Sequence, residues 1–523
     1  MSDEPDPPGG NRGQRELLAR LRAVVEAKDA EVSLLRAELA TERELRRRLE
    51  LQVAELQRRL GMDSTDSGTP TSKESIEARE RRKAGRRNRQ ESERERRKDR
   101  KRGGQPGHAG SGLRRDPDPD ERKTAGPPAQ CSRCGTGLEG ASPAGQSWAQ
   151  VWDVTISKSV TEWLLPALTC PCCGEVTVAA APAGAHPGSV SYGPGVNTAA
   201  VLLAAYGNVP AERAANLIRM LLGMPVSPGF VDKANARLSE RLDDAGFDDA
   251  IQAALAAEPA LGADETPVNV LAPDADPGTG EPETGSPHIL VIRPPGGKLT
   301  WLRALGSRRH AAITTVLSFF TGFLITDGYG AYQDLLPQLA GIQQCCQHVI
   351  RRCRAVTKLG PGSLQSWAAD VIEILREAHH LAEEARARPG PVDAELLAKL
   401  RERYDEAVAF GITHNRHRDW HDGNHPGYAL GRWLRDYARQ VWLFTREPAA
   451  DWTNNVSEQG AKAAKRHQAV SGYWHTQQTL ARWCRIRSYL DSTAAHGITA
   501  LDAITAALAG KPWLPQHAVA TAA

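Results

Sequence analysis

Three acidic residues stand where a metal-dependent site could be built. Asp264 lies in GADETPVNV, in or beside an apolar strand. Asp327 closes the apolar run FLIT, and Gly328 then turns the chain. Glu458 lies in NNVSEQGAKAAKRH, a helical pattern opening on Asn454 and Asn455, residue types that cap helices. Glu458, Lys462 and Lys465 fall at i, i+4 and i+7, so one stripe carries a carboxylate and then cations, with Arg466 alongside. A simpler role is also open to Glu458: reaching back to the amide of Asn455 in a capping box. Phosphodiester chemistry without a covalent enzyme intermediate needs an activated oxygen nucleophile and a stabilised leaving oxygen. Two divalent ions roughly 3.5–4 Å apart do both. Hard ions such as Mg²⁺ take carboxylate oxygens. Two strand-borne aspartates and a helix-borne glutamate followed by lysines therefore make a candidate divalent-metal site facing nucleic acid. Glu265 competes with Asp264. On a strand the two point to opposite faces, so only one is expected in the site.

Cysteine supplies a second ligand set. Five of the nine cysteines lie between Cys131 and Cys173. CSRCG and CPCCG place Cys131, Cys134, Cys170 and Cys173 in two CxxC knuckles, each followed by Gly, the ligand set of a structural tetrahedral zinc site. In a reducing compartment such clustering favours metal over disulfides. Cys172 is a fifth thiol able to substitute. The intervening VWDVTISKSVTEWLL is expected to form a β-hairpin.

The elements that must position these residues alternate. GADETPVNVL, HILVIR, LTWLRAL and FLITD read as strands, and SRRHAAITTVLSFF as a helix. Pro273 to Pro287 is a polar loop, and QQCCQHVIRRCRAV runs from a strand or turn into a helix. Residues 359–447 read as an α-helical insertion, because the stretch between Asp327 and Glu458 far exceeds what one strand and helix need. The catalytic part is thus expected at 259–358 and 448–495, with a C-terminal tail at 496–523. Residues 190–258 are helical and contain a helix–turn–helix-like pair: a DNA-reading unit or a helical connector.

A chain of 523 residues is too long for one core, so several domains are expected. The formal charge is only +3, yet Lys73 to Arg102 holds fifteen Lys/Arg against seven Asp/Glu. That segment, within a basic linker at 63–115, reads as an arm or single solvated helix for phosphate contacts. A zinc module is expected at 120–185. Residues 16 to 60 carry a heptad: Leu18, Val25, Val32, Leu39, Arg46, Val53 and Leu60, with Leu21, Lys28, Leu35, Glu42, Leu49 and Leu56 offset by three. Ten of these thirteen positions are apolar, and Val with Leu favours a parallel two-stranded coil spanning 1–62. The N-terminus MSDEPDPPGG has no apolar h-region, and no apolar run could span a bilayer, so a cytosolic location is expected. The excess of Arg and Ala suggests a bacterial genome of high GC content.

Taken together, the motifs are recognisable. GGQPGHAG, the paired CxxC knuckles, ADETPVNVL, SRR, FLITDGYGAY, CCQH followed by RR, and NNVSE occur in one order over nearly the whole chain. In this the sequence resembles the large-subunit transposases of the insertion-sequence 66 group. That resemblance implies a multidomain α/β chain with a ribonuclease-H-like catalytic fold and a D-D-E site on Asp264, Asp327 and Glu458. It further implies Mg²⁺, or Mn²⁺ in its place, beside the knuckle Zn²⁺. Cut-and-join chemistry is implied on the element's terminal inverted repeats and target DNA, in a nucleoid-associated homodimer or higher oligomer, with small accessory proteins of the same element as partners. Arg351 and Arg352, with Lys462, Lys465 and Arg466, are the candidate DNA contacts. Cys345 and His348 match the group's C-x-x-H in a candidate structural role. Gln459 stands where the group usually has Arg, and the second half of CCQHVIRR is shifted by one. Two other functions suit the same features: a DNA-binding regulator or degenerate transposase that does not cut, and a structure-specific nuclease that never joins ends.

Overall fold

The computed structural model describes residues 11–61, 113–182, 184–272, 286–359, 364–387, 392–420 and 423–516. The basic run from Lys73 to Arg102, GGQPGHAG and most of the Pro273–Pro287 loop lie outside the described residues.

Helix α1 (Asn11–Gly61) is continuous over 51 residues. Seven of its heptad seam residues stand uncovered by the described residues: Leu21, Val25, Val32, Leu35, Leu39, Leu49 and Val53 are 42–57% exposed. In the cysteine-rich segment the only strands among the described residues are β1 (Ala167–Thr169) and β2 (Val176–Val178), an antiparallel pair around the second knuckle. The hairpin expected in VWDVTISKSVTEWLL does not form. A strand needs a covered face, and here Trp148, Val151, Trp152, Val154, Ile156, Val160, Trp163 and Leu164 all remain exposed.

Four helices follow: α2 (Pro194–Val201), α3 (Ala211–Leu222), α4 (Pro228–Asp244) and α5 (Phe247–Ala256). Gly223 ends α3 at φ 64°, and the Ser227 hydroxyl caps α4 by accepting from the Phe230 amide. The second helix of this pair does not stand free. Val231, Ala234, Leu238 and Leu242 are buried in the core that also holds one face of the main sheet.

That sheet has five strands. β3 (Ala260–Pro267) is central. On one side it pairs antiparallel with β5 (His288–Arg293), which pairs antiparallel with β6 (Trp301–Leu305). On the other it pairs parallel with β7 (Phe323–Thr326), which pairs parallel with β8 (Gly341–Gln344). The order is β6-β5-β3-β7-β8. The short strand β4 (Val270–Ala272) leaves this sheet and pairs with β9 (Trp474–Thr476). Helix α6 (His310–Leu317) connects β6 to β7.

Alternation along β5 divides the two faces. Leu290 and Ile292 join Leu261 and Ala263 in the core with α2 to α6. Ile289 and Val291 face Ala461 and Ala464 of α12 (Asn455–Ser471), with Leu480, Trp483 and Cys484 of α13 (Gln477–Ala495). The other side of α13 reaches the first core through Ile486, Tyr489 and Leu490. Arg485 of α13 locks the helical region on, pairing with Asp243 at 2.8 Å and Asp248 at 2.9 Å. Residues 190–258 therefore share a core with the sheet. The expected C-terminal tail also departs from expectation: α14 (Ala500–Leu508) buries Ala503, Ile504 and Ala507 in that core.

The insertion has its own core. Cys346, Val349, Ile350 and Cys353 of α7 (Cys346–Thr357) join Trp367 of α8 (Ser366–Ala387), Tyr404 of α9 (Ala394–Asn415), Leu430 and Leu434 of α10 (Pro426–Asp436), and Val441 of the short α11 (Ala438–Val441). Two buried glutamines bolt it to β8. Gln343 accepts from the Phe444 amide at 2.7 Å, and Gln344 donates to Gln440 at 2.7 Å. No helix among the described residues is long and apolar enough to cross a membrane.

Candidate active site

The register of β3 and β7 brings the two aspartates together. Gly262 pairs with Ile325 in the parallel ladder, so two residues on, Asp264 stands beside Asp327. Asp327 lies just past the end of β7. Its Oδ1 accepts from the Tyr329 amide at 2.9 Å, an Asx turn that fixes the carboxylate. Gly328 makes that turn at φ 90°, and a Cβ there would come within 2.9 Å of Gln344 Oε1 and 3.3 Å of the Trp433 ring.

Glu265 corrects the expectation that only one of the neighbouring acids would enter the site. Alternation holds, since Asp264 sits opposite Val291 and Glu265 opposite Leu290. Yet ligand atoms of Asp264, Glu265 and Asp327 all lie within 4.8 Å of one another. The physical reason is that β7 has ended at Thr326, so Asp327 is reachable from either face. Glu265 is fully buried and its Oε2 accepts from Arg308 at 2.9 Å, with Asp327 Oδ2 3.6 Å from the same guanidinium. Arg308 is held in turn over the Tyr329 ring at 3.8 Å, and the Tyr329 hydroxyl donates to its carbonyl at 2.9 Å. Glu265 Oε1 has no hydrogen-bond partner. Burial, then the charges of Asp327, Glu265 and Glu458, push the Asp264 carboxyl up to about 7, while Lys465 opposes the shift. Burial raises Glu265 as well.

Helix α12 delivers Glu458 in its first turn, where the helix dipole favours a carboxylate. The capping box does not form. Asn454, rather than Asn455, is the N-cap, and its side chain makes no cap hydrogen bond. Its Nδ2 instead donates to the Ala263 carbonyl at 2.6 Å, and its backbone N–H to Cys345 Sγ at 3.3 Å. One residue thus pins the start of α12 to both β3 and the start of α7. Close approach needs glycine on both surfaces. A Cβ on Gly262 would collide with Asn454 and Ser457, and one on Gly460 would fall 2.6 Å from Val291 Cγ1. Arg293 adds a tie to the Val456 carbonyl at 3.1 Å.

Glu458 meets a different neighbourhood from the aspartates. Its Oε1 lies 3.7 Å from His348 Nδ1 and its Oε2 3.5 Å from Arg351. With Cys345 and His348 it forms a second group whose ligand atoms lie within 4.8 Å of one another. The two groups share one electrostatic field, because Glu458 acts on Asp264 and Asp327 acts on His348. Burial and Arg351 push the His348 imidazole below its usual range, while burial pushes the Cys345 thiol up to about 11.

The candidate DNA contacts divide. Lys462, Lys465 and Arg466 are exposed on α12. Arg351 turns inward to Glu458, and the guanidinium of Arg352 stacks over Trp433 of the insertion at 4.2 Å. The knuckles are formed alike: Gly135 donates to the Cys131 carbonyl at 2.9 Å and Gly174 to the Cys170 carbonyl at 3.0 Å. Thr136 pulls the Cys134 thiol down to about 7, toward the thiolate a metal takes. No three sulfurs of Cys131, Cys134, Cys170, Cys172 and Cys173 lie within 4.8 Å of one another.

Sequence reasoning missed the supporting roles of Arg308, Tyr329, Gly262 and Gly460, and read Asn454 only as a cap. A signal for Gly460 was present, since Gly460, Ala461, Ala463 and Ala464 make α12 small-sided toward the sheet. The family model described as transposase IS66 family matches residues 190–482, more than half of the chain. A search of curated proteins found no match.

Proposed function

The chain belongs to the IS66 family of transposases, and from that premise we propose that it is a DDE-type enzyme that cuts and joins insertion-sequence ends, with Asp264, Asp327 and Glu458 as its acidic triad. The observation that carries this reading is the pairing of Asp264 and Asp327 at adjacent parallel strands, with Glu458 within their field. The strand order, an antiparallel trio continued by two parallel strands, supports a ribonuclease-H-like catalytic unit.

The residues fit divalent ions. An all-oxygen donor set suits Mg²⁺ or Mn²⁺. Burial and then mutual repulsion push Asp264 up, as expected of buried carboxylates gathered without enough positive charge. Asp264 and Asp327 would hold the ions together with Glu458, and bound ions would activate the attacking oxygen and stabilise the leaving one. Arg308 neutralises Glu265 and holds Asp327 in place. Exposed Lys462, Lys465 and Arg466 give phosphates a cationic border on the same helix. Asn454 and the two glycines hold Glu458 close to the sheet, as positioned acids require.

Around this centre, α1 supports dimerisation through its uncovered heptad seam. The knuckle cysteines are read as one structural zinc site, the metal drawing the two halves together. Element ends and target DNA are the partners this reading assigns. Purified chain should nick end-bearing DNA with Mg²⁺ or Mn²⁺ and join its 3′ ends to a target, and Glu458→Gln should lose both by orders of magnitude while still binding DNA. DNA binding without nicking identifies a regulator. Nicking without joining identifies a nuclease. Full joining activity in Glu458→Gln refutes the assignment.

A further inference from the structure

Glu458 keeps company that hard-ion chemistry does not call for. Cys345 is 1% exposed and opens α7, and His348 lies one turn on. The sulfur, the imidazole and the Glu458 carboxylate offer three ligand atoms within 4.8 Å of one another. Two of the groups point at each other with nothing between: His348 Nδ1 and Glu458 Oε1 are 3.7 Å apart, and neither has a hydrogen-bond partner. Thiolate, imidazole and carboxylate are ligands zinc takes, whereas magnesium prefers oxygen alone. Arg351 borders the group, 3.3 Å from His348 Nε2 and 3.5 Å from Glu458 Oε2, and the charge of Arg352 also reaches His348.

We propose that Cys345, His348 and Glu458 bind a thiophilic divalent ion of the zinc type, which inhibits the enzyme by holding Glu458 away from Asp264 and Asp327. The inhibitory part rests on the role assigned to Glu458 above; the binding part does not. On binding, the thiol releases its proton to solvent and the imidazole carries its proton on Nε2. Arg351, 29% exposed, turns outward from that nitrogen. Cys345 has a built-in partner in either state, because its sulfur accepts from the Asn454 amide. Ion binding would therefore tighten the junction of α7 and α12 that sets where Glu458 stands.

Cobalt(II) is the probe, since it replaces zinc and reports sulfur ligation through a thiolate-to-metal absorption band. The full chain and its Cys345→Ser variant are titrated side by side, so the knuckle cysteines contribute equally to both. Serine keeps an acceptor for Asn454, and His348→Gln serves as a second variant. Wild type should bind one more cobalt ion with a sulfur band than Cys345→Ser, and His348→Gln should weaken that ion by about 10- to 100-fold or more. Asp264→Asn should retain it. Equal sulfur bands in wild type and Cys345→Ser overturn the site. In the second arm, zinc is added to Mg²⁺-supported strand transfer by protein that keeps its purified zinc content, each protein compared with its own rate before the addition. Zinc should inhibit wild type and spare Cys345→Ser; equal inhibition of both overturns the regulatory role. A wild-type chain inactive in Mg²⁺ with its purified zinc content retained and none added refutes the proposed function and the inhibition together, and the cobalt result still decides the site.

Discussion

Replacing Asp264 by Asn should make the metal-free protein more stable at pH 8. The carboxyl is raised from 3.8 to about 7 by burial and by three neighbouring acids. A carboxyl raised on folding holds its proton more tightly in the folded chain. Its contribution therefore falls as pH rises from about 4 to about 7, and then levels off. Three pH units at roughly 1.4 kcal/mol each set a ceiling of about 4 kcal/mol. Asparagine keeps the shape and removes the charge, so that part of the pH slope should vanish. A bound divalent ion offsets the same repulsion, so Mn²⁺ should stabilise wild type at pH 8, do little at pH 5, and do less for Asp264→Asn. The assay is a denaturant midpoint measured from pH 5 to 8 in chelator and again in Mn²⁺, wild type against variant. The difference reports Asp264 together with the acids coupled to it and cancels every titrating group outside that cluster. Parallel pH profiles for the two proteins would show that Asp264 is not strained by its neighbours and would refute the reasoning.

Gly460→Ala places a Cβ 2.6 Å from Val291 Cγ1; the overpacking should cost about 1–3 kcal/mol in thermal or denaturant unfolding and lower strand transfer further than stability alone explains. A peptide spanning residues 16–60 should sediment as a parallel dimer at micromolar concentration, a monomer arguing that the α1 seam packs elsewhere. Freshly purified protein should contain zinc by elemental analysis, and Cys134→Ser should unfold the knuckle module while the catalytic unit remains folded.

The elements around the site were legible because their patterns are local. Apolar runs ending at Asp264 and Asp327 announce strands, and the 3.6-residue spacing of Glu458, Lys462 and Lys465 announces a helix. Which residues cap, clamp or cover was less legible, because those roles depend on partners far along the chain. Asn454 looks like a helix cap, and its side chain is taken instead by a carbonyl 191 residues away. Glu265 obeys strand alternation yet reaches Asp327, because a neighbouring strand stops one residue earlier. VWDVTISKSVTEWLL has the composition of strands, but no second surface covers it. The C-terminal helix α14 carries few large side chains, so its burial rests on Ile504 and two small alanines, Ala503 and Ala507, fitting the core it shares with residues 190–258.

Closing the sheet with α12 has a consequence for the order in which the molecule is made. The Ala263 carbonyl leaves the ribosome long before Asn454, the residue that will bind it. At about 5–20 residues per second, the separation of 191 positions takes roughly 10–40 s to synthesise. Throughout that interval Ile289 and Val291 have nothing to cover them, because Ala461, Ala464 and Trp483 have yet to be translated. The insertion, with a core of its own, can fold while it waits. Glu458 therefore joins Asp264 and Asp327 only near the end of translation, and a chain cut short before α12 carries an open apolar sheet face in place of the proposed triad.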